Sequence, residues 1–127
     1  MLVLCDLEGM DEAQVREHIA SAYRISVSDL GGVEVLIGYE SVGSWGCDSS
    51  NWFLFRKNGE LFENHGSHCS CYGFEDQWSP ESTSAAYLLS DKFYLSTGGY
   101  DDAEVSNRAA VAAELTRLFG NQPLEEE

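Results

Sequence analysis

Trp52-Phe53-Leu54-Phe55-Arg56-Lys57-Asn58-Gly59-Glu60-Leu61-Phe62-Glu63 is the stretch that decides the fold. Two apolar runs flank Lys57-Asn58-Gly59-Glu60, and Asn-Gly at such a centre is the strongest short-range hairpin signal, because the favoured two-residue turn needs positive φ at both central positions. Upstream, Val33-Glu34-Val35-Leu36-Ile37-Gly38-Tyr39-Glu40 reads as a third strand. The two-residue period puts Val33, Val35, Ile37 and Tyr39 on one side. Ser41 to Ser50 is small and polar apart from Val42, Trp45 and Cys47, and so joins the strands as a loop. The result is an antiparallel meander with Trp52, Phe53, Phe55 and Phe62 as candidate core. A hairpin closed at one end brings its other ends together, so Cys47 and the run from His65 to Cys71 are expected to be neighbours.

Towards the N-terminus, Asp11 is placed to cap a helix, Gln14 to complete a capping box, and Met10 and Val15 to form a hydrophobic staple. Val15, Ile19, Ala22 and Tyr23 then recur on one face, which predicts an amphipathic helix from Glu12 to about Tyr23. Leu2-Val3-Leu4-Cys5 is a short buried strand or an apolar arm. Ile19 to Leu30 has a helix-turn-helix outline with a second start at a Ser cap, but a reading helix there would carry Ser28 and Asp29 with almost no basic support, which argues against DNA binding, and a helix followed by a short turn is the better reading. Gly31-Gly32 ends this region.

Towards the C-terminus, Ser79-Pro80-Glu81 is a boundary, and Pro80 or the Ser82–Ser84 cluster can start a short helix through Leu89. Lys92 to Ser96 reads as one more strand before Gly98-Gly99. Asp101 or Asp102 caps a helix from about Ala103 to Phe119, with a Val111, Leu115, Leu118 stripe, a Glu104–Arg108 pair and Gly120 at the end. The predicted architecture is α+β: a small antiparallel meander of three to five strands packed against two longer helices and one short helix. It forms a single domain over 1–127, with 121–127 an acidic flexible tail.

Composition restricts function. The 127-residue chain has 22 acidic and seven basic residues and a net charge of -15. Direct nucleic-acid binding and attachment to an anionic membrane both need a positive patch, and neither fits. A basic partner does. No apolar run reaches bilayer length, and Met1 to Cys5 has neither the basic start nor the apolar length of an export signal, so a cytoplasmic protein is expected, with its four cysteines reduced, buried or metal-bound.

Tyr39-Glu40-Ser41, Gly46-Cys47-Asp48-Ser49-Ser50, Asn58-Gly59-Glu60-Leu61 and the run Gly66-Ser67-His68-Cys69-Ser70-Cys71-Tyr72-Gly73-Phe74-Glu75-Asp76-Gln77-Trp78, with Pro80-Glu81, together resemble small uncharacterised proteins of bacteria and their phages. The resemblance spans about Tyr39 to Leu89. It implies a phage-associated origin and no particular activity.

Three chemistries compete for these residues. Cys47, Cys69, Cys71 and either His65 or His68 are the donor types of a tetrahedral zinc site, although their spacing departs from paired Cys-x-x-Cys knuckles. Cys47 with His65 or His68 as base and Asp48 or Asp76 as orienter would be a cysteine nucleophile, as in a hydrolase. The signatures of phosphate loops, His-Glu-x-x-His metallopeptidases, calcium loops and zinc deaminases are missing. The third and favoured expectation is a non-enzymatic acidic protein that inhibits a basic, nucleic-acid-handling host protein. Carboxylates two apart on a strand or four apart on a helix are about 6 to 7 Å apart, near the phosphate spacing of one nucleic-acid strand. With the phage-like resemblance this implies an anti-defence or anti-CRISPR role by nucleic-acid mimicry. The candidate contacts are Asp6, Glu8, Asp11, Glu12 and Glu17, with Asp101, Asp102 and Glu104. Trp45 and Trp78 are candidate aromatic anchors, Trp78 serving equally well as a lid over the hairpin.

Overall fold

Asn58 and Gly59 both take positive φ, 54° and 80°, and turn the chain between β3 (Ser49–Lys57) and β4 (Glu60–His68). The strands pair antiparallel from Lys57 opposite Glu60 to Ser49 opposite His68. The computed structural model describes residues 1–41, 49–68, 74–93 and 102–120, without the side chains of 49, 68 and 102–107. β2 (Val33–Ser41) pairs antiparallel with β3, and β1 (Leu2–Cys5) adds to the other edge of β2. Beyond β4 lies the two-residue β5 (Glu81–Ser82), so the order is β1-β2-β3-β4-β5. The expected meander is present, but the sheet is mixed: β1 runs parallel to β2, with Leu2 beside Ile37 and Cys5 beside Glu40. A parallel neighbour needs a crossover. Here α1 (Glu12–Tyr23) and a 3₁₀ turn (Val27–Leu30) supply it.

α1 begins as its sequence requires. The Gln14 N–H donates to Asp11 Oδ1 (2.8 Å), and the Asp11 N–H donates to Gln14 Oε1 (2.9 Å). The helix stops at Arg24 in the left-handed region, and Ser26 caps a 3₁₀ turn, the helix followed by a short turn that the sequence favours.

Apolar residues cover both faces of the sheet. In β3, Phe53 and Phe55 join Leu7, Val15, Ile19, Tyr23, Leu30 and Phe74 on the α1 side. Trp52 and Leu54 join residues of α2 (Ala85–Leu88) and α3 (Asp102–Phe119) on the other side. An unbroken Trp-Phe-Leu-Phe run is what a strand covered on both faces requires. The stripe of α3 uses Val111, Leu115 and Phe119, with Leu118 only partly buried. Each such side chain contributes about 1.5–3 kcal/mol when fully buried.

β2 departs from strict alternation. Its register against β3 shifts between Val35 and Ile37, the mark of a β-bulge. Val33 and Val35 lie in the α1-side core, whereas Ile37 and Tyr39 lie in the α3-side core. The expected common face of these four residues is therefore corrected: the extra residue rotates the second half of the strand by one position. Lys92 is in a turn and Phe93 is outside any strand, so the described part of the expected Lys92–Ser96 strand is not one. Phe93 packs on Trp52 at 5.4 Å between ring centroids instead. The rest of that strand, and the tail 121–127, lie outside the described residues.

Candidate functional site

Neighbouring rungs of the sheet place Glu40 opposite Asn51 and Asn51 opposite Gly66. On the α1 face, His18 Nε2 lies 2.9 Å from Glu40 Oε1, and the Asn51 amide donates to the same oxygen at 3.2 Å. The Tyr23 hydroxyl donates to Asn51 Oδ1. Asn64 Oδ1 accepts from the Ser79 N–H at 2.8 Å. Glu40, Asn51 and Asn64 are only 7%, 3% and 2% exposed. This polar cluster exists only because Gly66 has no side chain: a Cβ there would lie 2.7 Å from the Tyr23 oxygen and 2.9 Å from Phe74 Cδ1, and closer still to Asn51 Oδ1.

Electrostatics follow from this packing. The hydrogen bond to Glu40 raises the His18 pKa above 6.5; burial opposes the rise, and the charges of Glu40 and Asp6 add to it. Burial pushes the Tyr23 phenol well above its ordinary value. Because His18 and Glu40 are 22 positions apart, their pairing was not anticipated from sequence. The available signal was a carboxylate inside an apolar strand, which needs a partner when buried.

On the opposite face, Glu63 is 6% exposed and accepts from Trp52 Nε1 at 3.2 Å, with His65 Nε2 at 2.6 Å from the same oxygen. Burial favours the protonated acid, but the hydrogen bonds from His65 and Trp52, with the Thr83 hydroxyl beside them, outweigh it and hold the Glu63 pKa below 4.5. Glu63, His65, Glu81, Ser84 and Tyr87 line an open cleft of about 450 Å³ between β4, β5 and α2.

Of the acids expected to meet a partner, Asp6, Glu8, Asp11 and Glu17 are exposed on the β1–α1 segment. Glu12 is committed internally. Its Oε1 accepts from Arg16 Nη2 at 2.9 Å, its Oε2 accepts from the Val35 N–H at 2.9 Å, and Arg16 also donates to the Val33 carbonyl. Together they finish the part of the β2 edge that β1 does not cover. Asp101 lies outside the described residues, and the side chains of Asp102 and Glu104 are not described. Trp78 is half-buried, stacked on Phe55 at 5.6 Å and tilted against Tyr23 at 5.1 Å.

Of the candidate zinc ligands, only His65 has a described side chain, and it is engaged with Glu63. Cys47, Cys69 and Cys71 lie outside the described residues, as does Asp48, and the side chain of His68 is not described. Ser49 and His68 are register partners, so the strand ends leading to Cys47 and Cys69 are adjacent. Among the described residues no group of three or more His, Cys, Asp or Glu is arranged to hold a metal ion. The proposed orienter Asp76 is exposed in a turn with φ 65°. No described helix is long and apolar enough to cross a membrane.

No protein-family model, curated protein or solved structure matches this chain.

Proposed function

We propose that this is a non-enzymatic binding protein whose acidic β1–α1 segment occupies a positively charged surface of a nucleic-acid-handling host protein and so inhibits it. The supporting observation is that Asp6, Glu8, Asp11 and Glu17 are exposed there, while Arg16 is bonded to Glu12 and His18 to Glu40. The basic side chains within α1, Arg16 and His18, are thus spent inside the fold, and the outward face of the segment is anionic. A net charge of -15 adds a long-range field that accelerates encounter with a basic surface and weakens with salt. A nucleic-acid-binding groove is such a surface, and the resemblance of Tyr39 to Leu89 to small proteins of bacteria and their phages points to a host defence effector, including a CRISPR effector, as the partner class.

The test is capture from nuclease-treated host extract on the immobilised protein, with salt and competitor DNA as variables. Capture of a nucleic-acid-binding protein at about 50 mM salt, lost by about 300 mM and displaced by duplex DNA, is expected. A combined Asp6→Asn, Glu8→Gln, Glu17→Gln variant should fold and lose capture. Retention at high salt, or by that variant, would show that charge does not drive the interaction.

A zinc-binding domain is the second reading, favoured by the Ser49–His68 register that makes the cysteine-bearing chain ends adjacent. Untagged protein should then retain about one equivalent of zinc. A metal content near zero disposes of it.

A further inference from the structure

Glu40 is a carboxylate at 7% exposure in the middle of a sheet, where an uncompensated charge is costly. Its neighbours come from three parts of the chain. Asn51 on β3 donates a neutral amide N–H at 3.2 Å, and the Glu40 backbone carbonyl accepts the Asp6 N–H at 3.0 Å from the turn after β1. Among the described residues only His18, on α1, brings a group able to carry positive charge. Asp6 is the other ionised group whose field reaches His18. Elsewhere on α1, Glu12 and Arg16 are joined to each other and to β2, Glu17 is exposed, and Tyr23 hydrogen-bonds Asn51.

We propose that His18 and Glu40 form a pH-operated latch: the imidazolium clamps α1 to β2, and loss of its proton loosens the helix. A charge-assisted hydrogen bond is roughly twice as strong as a neutral one, and deprotonation also removes the counter-charge from a buried carboxylate. Because the folded-state pKa of His18 is raised, the stabilisation is complete below 6.5 and is lost as pH rises through the higher folded value. The Val15, Ile19 and Tyr23 packing and the Glu12–Arg16 clamp persist, so the helix loosens and the protein stays folded. The latch is independent of the binding reading, since helix opening is measured without any partner.

The experiment combines an NMR titration of His18 with amide hydrogen exchange at about pH 6 and about pH 8.5, corrected for intrinsic exchange. Expected are a His18 midpoint above 6.5 and a rise in opening of at least about threefold at the Ile19 and Ala20 amides on going to the higher pH. β3 and β4 amides should not change. His18→Gln and Glu40→Gln should each abolish the pH dependence; because His18 is half-exposed, His18→Gln alone suffices if Glu40→Gln does not fold. A His18 midpoint at or below 6.5, an α1 response that persists in His18→Gln, or a loss of protection spread equally over the sheet would each overturn the proposal.

Discussion

Gly66→Ala should be far more damaging than its single added methyl implies. The new Cβ would sit 2.7 Å from the Tyr23 oxygen and 2.9 Å from Phe74 Cδ1, and nearer still to Asn51 Oδ1, where ordinary contacts begin near 3.4 Å. Overpacking a close-fitted interior costs about 1–3 kcal/mol. Relieving it by moving Asn51 or Tyr23 breaks their buried hydrogen bond, at about 1–3 kcal/mol more. A central estimate is about 3 kcal/mol. At roughly 2.1 cal/mol/K per residue, 127 residues have an unfolding entropy of about 0.27 kcal/mol/K, so Tm falls by about 11 °C. Urea and thermal denaturation of the variant measure this directly. Gly59→Ala is the control. That glycine has φ 80° and nothing within 4 Å of a built Cβ, so only left-handed backbone strain of about 1–2 kcal/mol applies. If Gly66→Ala is no worse than Gly59→Ala, the Asn51–Tyr23–Gly66 packing is wrong.

Other predictions follow from the same contacts. Glu63 has a depressed pKa, so its stabilisation is present above 4.5 and is lost as pH falls through the lower folded value; Glu63→Gln should flatten the acid limb of a stability–pH profile, and an unchanged limb would contradict the assignment. Trp52→Phe keeps the ring packing but removes the indole donor to Glu63, and should cost about 1–3 kcal/mol in urea denaturation. Asp11→Ala removes one side of the capping box and should cost about 1 kcal/mol, read as lower exchange protection in the first turn of α1. Arg16→Ala leaves the Val33 carbonyl without its guanidinium donor; the exposed β2 edge should increase self-association on light scattering, whereas an unchanged monomer signal would show the edge to be harmless.

The readable parts of this fold were local. Asn58-Gly59 states its turn through its own backbone preference, and Asp11 with Gln14 states a helix start within four positions. Features that join distant segments were not readable. The four apolar residues Leu2 to Cys5 do not reveal which strand they will pair with, so the parallel edge was unforeseen. The bulge was concealed because Leu36 and Ile37 are both apolar: a two-residue period continues through Val35, Ile37 and Tyr39 whether or not the strand does. The site showed the same pattern. Clustered cysteines and histidines mark the 65–71 run in the sequence, yet the best-defined polar contacts belong to Glu40 and Glu63, single carboxylates in apolar strands. Their partners His18 and Trp52 are set by packing, and only a two-sided core explains why a charged residue in either strand must find one.

The bulge in β2 makes parity a structural variable. Before it, odd-numbered residues turn towards α1; after it, odd-numbered residues turn towards α3. Inserting one residue between Ile37 and Tyr39 would exchange the two interiors beyond it, carrying Tyr39 to the wrong side and driving the Glu40 carboxylate into the hydrocarbon beneath α3, whereas deleting Leu36 would remove the bulge and leave both sides as they are. An equal change in the 42–48 connection leaves that parity untouched. Insertions should therefore be tolerated between strands and rejected within the second half of this one, however conservative the residue gained.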